Sequence, residues 1–192
     1  MNEYIYSCYN PIIDKYYDKL SSEFNKIMYY LKLNKFDKVD ELTDINIVNN
    51  EGSTLLIEVC KQNLDNLSTI VKYLLTKKIN INIQNNKGFT ALMYAAIHIN
   101  IKTTGLFYIT RHVKVTTNEE VVKMLLDANI NPNLQNNSGN TALMIVAFYG
   151  LECLIPTIKL LLNKTDLTIK NKLEKNVFMM TQNAKIYLLL IN

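Results

Sequence analysis

Any chemistry in this chain has to come from few residues. There are two histidines, His98 and His112, and three cysteines, Cys8, Cys60 and Cys153. The densest basic patch is Lys102, Arg111, His112 and Lys114. The histidines flank one segment and could begin a metal site, but a zinc site needs further ligands at matching spacing and none stands there. The cysteines are far apart, odd in number and lack CxxC spacing, which argues for reduced thiols in an intracellular protein rather than disulfides or zinc. Glu119 and Glu120 open a candidate helix, where carboxylates complement the helix dipole, so they are read as helix-start acids rather than an acid–base pair. No GxSxG, glycine-rich phosphate loop or HExxH occurs. No catalytic residue, metal or cofactor is expected, and the chain is read as not an enzyme. The net charge is +4, from 21 basic and 17 acidic residues. No run of Lys or Arg is dense enough to track a phosphate backbone, so nucleic acid is permitted but not indicated.

The elements behind these residues are laid out by repetition. "NNEGSTLLIEVC" from Asn49 returns as "NNKGFTALMYAA" from Asn85, as "NNSGNTALMIVA" from Asn136, and in decayed form as "NKLEKNVFMMTQ" from Asn171. The copies start 36, 51 and 35 residues apart, so each is one supersecondary unit and the middle one carries an insertion. Each opens with Asn, Gly and polar neighbours, the chemistry of a tight turn. Thr54, Thr90 and Thr141 then stand where a helix N-cap belongs, before apolar residues at helical spacing.

A second helix is expected in each copy, over "LSTIVKYLL" (67–75), "NEEVVKMLL" (118–126) and "IPTIKLLL" (155–162). Ile70, Val71, Leu74 and Leu75 form an apolar face that one unit cannot bury alone, so neighbouring units must cover it. Asn118 suits a cap, Pro156 a first turn, and Asn129 a left-handed helix end. The stretches "DINIVNN", "ININIQNN" and "INPNLQNN" read as short extended arms turning back as hairpins. With 48% hydrophobic and 20% charged residues, the material suffices for one domain or a short array without staples. The surplus of Asn, Ile, Lys and Tyr is read as AT-rich coding rather than chemical need.

These residues resemble the ankyrin repeat, whose pattern runs D-x-x-G-x-T-P-L-H-x-A-A, then V-x-x-L-L, then G-A-D-x-N. The middle copy matches at Asn85, Gly88, Thr90, Leu92, Ala95 and Ala96, then at Val122, Leu125, Leu126, Asn131 and Asn133. The dialect, with TALM for TPLH and Asn-rich turns, is similar to ankyrin-repeat proteins of giant DNA viruses of amoebae. The resemblance implies an all-α, ankyrin-type repeat solenoid of helix pairs joined by short β-hairpin loops, binding an unidentified protein through its concave face. The family's proline is replaced by Leu55, Ala91 and Ala142 and its histidine by Ile57, Met93 and Met144. The Thr–His bond between units is therefore lost, and apolar packing is expected to substitute. Lys78 replaces a glycine, which predicts a different helix end there. Cys60 occupies a small helix-packing position, so a buried thiol is expected.

By the same resemblance the exposed, partner-facing positions are Asn50, Glu51, Ser53, Lys61 and Gln62, then Asn86, Lys87, Phe89, Ile97 and His98, then Asn137, Ser138, Asn140, Phe148 and Tyr149. Phe89, Ile97, Phe148 and Tyr149 are the anchor candidates, with packing inside the repeat as the alternative for each. The expected organisation is a helical N-terminal extension at 1–20, a degenerate capping repeat at 21–48, and repeats at 49–84, 85–135 and 136–170. A shortened cap follows at 171–192, and the insertion lies near 99–117, as a small hairpin or a mobile loop.

Seven of the twelve tyrosines fall by Tyr30, as part of a capping helix or as an aromatic patch for assembly, for instance of a virion. Assembly through that patch is the second functional reading, and nucleic-acid contact through Lys102, Arg111 and Lys114 the third. No apolar run approaches the ~20 residues that span a bilayer and no leader pattern opens the chain, so no membrane contact is expected. The expected location is the cytoplasm, that of the host for a viral protein, and neither the partner nor the oligomeric state is legible.

Overall fold

A computed structural model describes residues 22–42, 44–62, 64–104 and 112–191, without the side chains of 99–116. The helical extension expected at 1–20, the tyrosines before Tyr29, Cys8 and the side chains of the insertion's basic patch lie outside what is described, while Tyr30 is buried in the core and Tyr29 packs against it. The chain forms α1 (Glu23–Lys32), α2 (Phe36–Asp40), α3 (Leu55–Lys61), α4 (Leu67–Leu75) and α5 (Ala91–Ile97). Strands β1 (Ile99–Thr104) and β2 (His112–Thr117) follow, then α6 (Glu119–Asp127), α7 (Ala142–Tyr149), α8 (Ile155–Leu162) and α9 (Ala184–Ile191). Short 3-10 turns at Glu152–Leu154 and Val177–Met179 complete it.

The helices make two rows in chain order. α1, α3, α5 and α7 pack successively, with the 3-10 turn at 177–179 against α7, while α4, α6 and α8 form the second row. Leu74, Leu125 and Leu161 are fully buried and belong to one elongated core. In α7 every residue from Ala142 to Ala147 is buried, because α5, α8 and the 177–179 turn enclose it; only Phe148 and Tyr149 emerge.

The three threonines cap as expected. Their Oγ1 atoms accept from the N–H of Ile57 (3.3 Å), Met93 (3.2 Å) and Met144 (3.3 Å), satisfying donors the first helical turn leaves free. Pro156 lies in the first turn of α8. Asn129 takes φ 64°, and the Ile130 N–H reaches back to Leu125 O to close α6. At Lys78 no left-handed residue occurs; α4 ends instead with Thr76 Oγ1 donating to Tyr73 O at 2.6 Å. Asn118 precedes α6 but does not cap it. Its Nδ2 is buried without a partner, and Thr117 Oγ1 donates to Glu119 Oε1 nearby.

The insertion is a hairpin in which β1 pairs antiparallel with β2, Ile99 opposite Thr117 and Thr104 opposite His112. The links between repeats are reduced from extended arms to tight turns, with one isolated bridge, Val48 to Thr54. Each turn is pinned by its leading asparagine. Asn85 Oδ1 accepts from Lys87 N (3.0 Å) and Phe89 N (2.9 Å), and Asn49, Asn136 and Asn171 repeat the pattern.

Two expectations are corrected here. Apolar packing is not all that replaces the lost Thr–His tie, and the turn asparagines, whatever the source of the Asn surplus, do structural work. Successive turns are joined by backbone bonds, Asn86 N to Glu51 O, Asn137 N to Lys87 O and Lys172 N to Ser138 O. Carboxamides reinforce them: Asn86 Nδ2 donates to Asn50 O, Asn137 Nδ2 to Asn86 O and Asn85 Nδ2 to Ser53 Oγ. Gln84 Nε2 spans its own turn and the next unit by donating to Gly88 O and Gln135 O, and Gln135 does the same to Gly139 O and Lys170 O. A neutral amide both donates and accepts, so one residue type can saturate a repeating polar seam without burying charge.

Candidate functional site

The turn tips and the C-terminal ends of α3, α5 and α7 carry all the candidate positions. Asn50, Glu51, Lys61, Lys87, Asn137, Ser138, Phe148 and Tyr149 are exposed there, and so is Asn86. The Asn86 and Asn137 carboxamides each spend one Nδ2 donor on the seam. Gln62 is half-buried and donates to Glu58 Oε1 at 2.7 Å. Asn140, also half-buried, accepts from Asn171 Nδ2 at 2.7 Å.

Ser53 is a correction. Expected to face a partner, it is fully buried, because its hydroxyl accepts from Asn85 of the following turn while its N–H donates to Asn49 Oδ1. Phe89 and Ile97 are partly buried and pack against the core, Phe89 with its ring 4.9 Å from that of Tyr94. His98 closes α5 and is half-buried; burial pushes its pKa below the ordinary 6.5, so the imidazole is neutral at pH 7. Cys60 is fully buried and its thiol is pushed up to about 12 by burial, which makes it a packing residue rather than a nucleophile. Among the described residues no three of His, Cys, Asp or Glu converge as a metal would require.

Two open grooves lie along this face, one at each end. The first, of about 500 Å³, is lined by Asn49, Asn50, Glu51, Glu58 and Lys61 beside Phe24. Its lining is net negative, with Glu23, Glu51 and Glu58 against one lysine, whose Nζ stands 2.7 Å from Glu51 and 3.7 Å from Glu58. The hydrogen bond from Lys61 holds the Glu51 carboxyl below its usual range, and the same bond raises Lys61.

The second groove, of about 540 Å³, runs between the 136–140 turn, Phe148 and the turn at Asn171. Phe148 (65% exposed), Leu173 (73%) and Met179 (61%) give it apolar walls, and Lys172 and Lys175 stand over it. Tyr149 lies beside Phe148, edge to face at 6.2 Å. The candidate positions had missed Leu173, Lys172, Lys175 and Met179. Lys172 and Leu173 follow Asn171 as Asn86 and Lys87 follow Asn85, and Lys175 follows Glu174 as Phe89 follows Gly88, so repeat register points to these three. Met179 carries no such signal, because the helix that should hold it has shrunk to a 3-10 turn.

Comparison with known proteins matches the same stretch. A family profile described as ankyrin repeats (3 copies) covers residues 24–118, and one described as ankyrin repeats (many copies) covers residues 111–162. Ankyrin repeat protein L91 of Acanthamoeba polyphaga mimivirus is 33% identical over 123 residues, which is 62% of this chain and 17% of that protein. Protein L86 of the same virus is 36% identical over 74 residues, 38% of this chain and 11% of that protein. The chain thus spans a small part of the relatives it matches. Among the described residues no helix is long and apolar enough to cross a membrane.

Proposed function

This chain belongs to the ankyrin-repeat family, and from that premise we propose that it is a non-enzymatic protein-binding module working through its turn tips and first-row helices. The family's members are in general protein–protein interaction modules. The observation that carries the reading for this chain is the end of α7. Six consecutive residues, Ala142 to Ala147, are buried, and then two aromatics, Phe148 and Tyr149, are left more than half exposed beside an apolar groove. The scaffold gains little from large apolar side chains there, whereas a protein interface concentrates its affinity in such anchors.

Cross-linked affinity capture from cells expressing the chain tests it, comparing the wild type with the Phe148→Ala, Tyr149→Ala double variant. The expected outcome is loss of captured protein, because hot-spot truncations cost about 2 kcal/mol or more each. Phe89→Ala, a change at a ring already packed on Tyr94, is expected to affect stability more than capture. Full retention of every captured protein by the double variant would remove the proposal.

A further inference from the structure

The two grooves occupy equivalent places on the repeat, yet their chemistry differs. At the first, one lysine is held between two carboxylates and Glu23 lines the groove as well, so a partner meets a net negative surface. At the second, the nearest ion pair is Lys170 with Glu174, 3.5 Å apart. Lys172 and Lys175 are exposed, and no ion pair involving either occurs among the described residues. Their backbone atoms are committed to the turn, so their side chains are the parts left to act. Two uncompensated cations therefore stand over walls made by Phe148, Leu173 and Met179.

We infer that this groove takes a peptide segment of a partner protein in which apolar side chains are flanked by carboxylates. The inference rests on the protein-binding reading above and names the chemistry of its occupant. Apolar side chains enter between Phe148 and Met179, where a flexible thioether lets the wall adapt to different shapes. The flanking carboxylates meet Lys172 and Lys175, which set orientation and association rate. A phosphate polymer fits less well: tracking a backbone requires a continuous row of cations, and here two cations stand over a mostly apolar floor.

Selection of a random displayed peptide library on the intact chain, in parallel with the Lys172→Glu, Lys175→Glu variant, is the test. Both lysines are exposed, so the variant is expected to fold, which circular dichroism checks. The wild type should enrich peptides combining Leu, Phe, Met or Ile with Asp or Glu. A selected peptide, made synthetically, should bind the charge-reversed variant on the order of ten-fold more weakly, and should also weaken as salt rises. Phe148→Ala should weaken it further.

Absence of any acidic enrichment, or recovery of the same peptides by the charge-reversed variant, would overturn the inference. So would equal competition by a single-stranded oligonucleotide. The two readings fail separately. A captured protein that depends on Phe148 and Tyr149 but ignores the two lysine reversals leaves the binding face standing and removes the acidic occupant.

Discussion

The turn at Asn85 and the turn at Asn171 share their internal geometry and differ in what lies against them. Both are pinned by an asparagine accepting two backbone N–H groups, and both place their fourth residue in the left-handed region, Gly88 at φ 74° and Glu174 at φ 57°. A Cβ on Gly88 would meet Asn137 N at 2.6 Å. Gly52 and Gly139 are in the same position, at 2.5 Å from Asn86 Oδ1 and 2.7 Å from Lys172 N. No described turn packs on Glu174. Glycine is therefore demanded by the neighbour's approach more than by the turn, since a glutamate holds the same conformation where no neighbour comes.

The harshest test of this contrast is to put alanine at both positions. Gly88→Ala adds a left-handed penalty of roughly 1–2 kcal/mol and forces backbone apart, for a total of about 3 kcal/mol or more. Glu174→Ala should fall within about 0.5 kcal/mol of the wild type, because both residues carry a Cβ and the site is open. Urea unfolding of the two variants measures the difference; similar costs would mean that the turn alone requires glycine.

Removing the pinning side chain should show the same asymmetry less strongly. Asn85→Ala frees two N–H groups in a turn bonded to neighbours on both sides, through Asn86 N and Lys87 O. Asn171→Ala frees two in a turn bonded to one neighbour, through Lys172 N. Losses of about 3 and about 1–2 kcal/mol are expected. Equal losses would show that the pin acts within its own turn and not through the stack.

Much of this architecture was readable beforehand, and the unread parts share a cause. Thr90 as a cap, Asn129 as a helix end and Leu125 in a shared core follow from spacing along one segment, which sequence records directly. The burial of Ser53 is not legible locally because it depends on Asn85, 32 residues on, whose carboxamide reaches it only once the units are stacked. The same holds for Gln84 and Gln135, whose bonds cross 51 and 35 residues. Asn118 shows the converse failure: the right residue at the right position makes no cap, its Nδ2 being buried without a partner and its side chain accepting nothing from the first turn. For the candidate site, Phe148 and Tyr149 were legible as large residues at variable positions, but the groove they flank needed the folded shape of the decayed fourth copy.

A milder change runs in the stabilising direction. Glu174→Gly would relieve a non-glycine residue at φ 57°, partly offset by the greater freedom of glycine in the unfolded chain, for a net gain of roughly 0.5–1 kcal/mol. It would also remove the partner of Lys170, an exposed pair expected to contribute little. A variant no more stable than the wild type would mean that the turn at Asn171 holds Glu174 without strain, and that the contrast with Gly88 is one of packing alone.

The smallest effect concerns how units are tied rather than how turns are shaped. The asparagine and glutamine seam is neutral, so acid should leave it unchanged. Between α2 and α4 the tie is charged: Asp40 Oδ1 accepts from Lys77 Nζ and Tyr73 Oη, both at 2.6 Å. The hydrogen bond from Lys77 and then that from Tyr73 hold the Asp40 carboxyl below its ordinary 3.8. A lowered folded value means that the stabilisation is fully present above the unfolded value near 3.8 and is lost as pH falls through the folded one. The pair is exposed, so its contribution is at most about 1 kcal/mol. Asp40→Asn should therefore lower Tm slightly at pH 7, with the gap to the wild type closing below pH 3.8. A gap that persists unchanged into acid would show that the Asp40 charge contributes nothing and that neutral amide and hydroxyl contacts tie this pair of helices too.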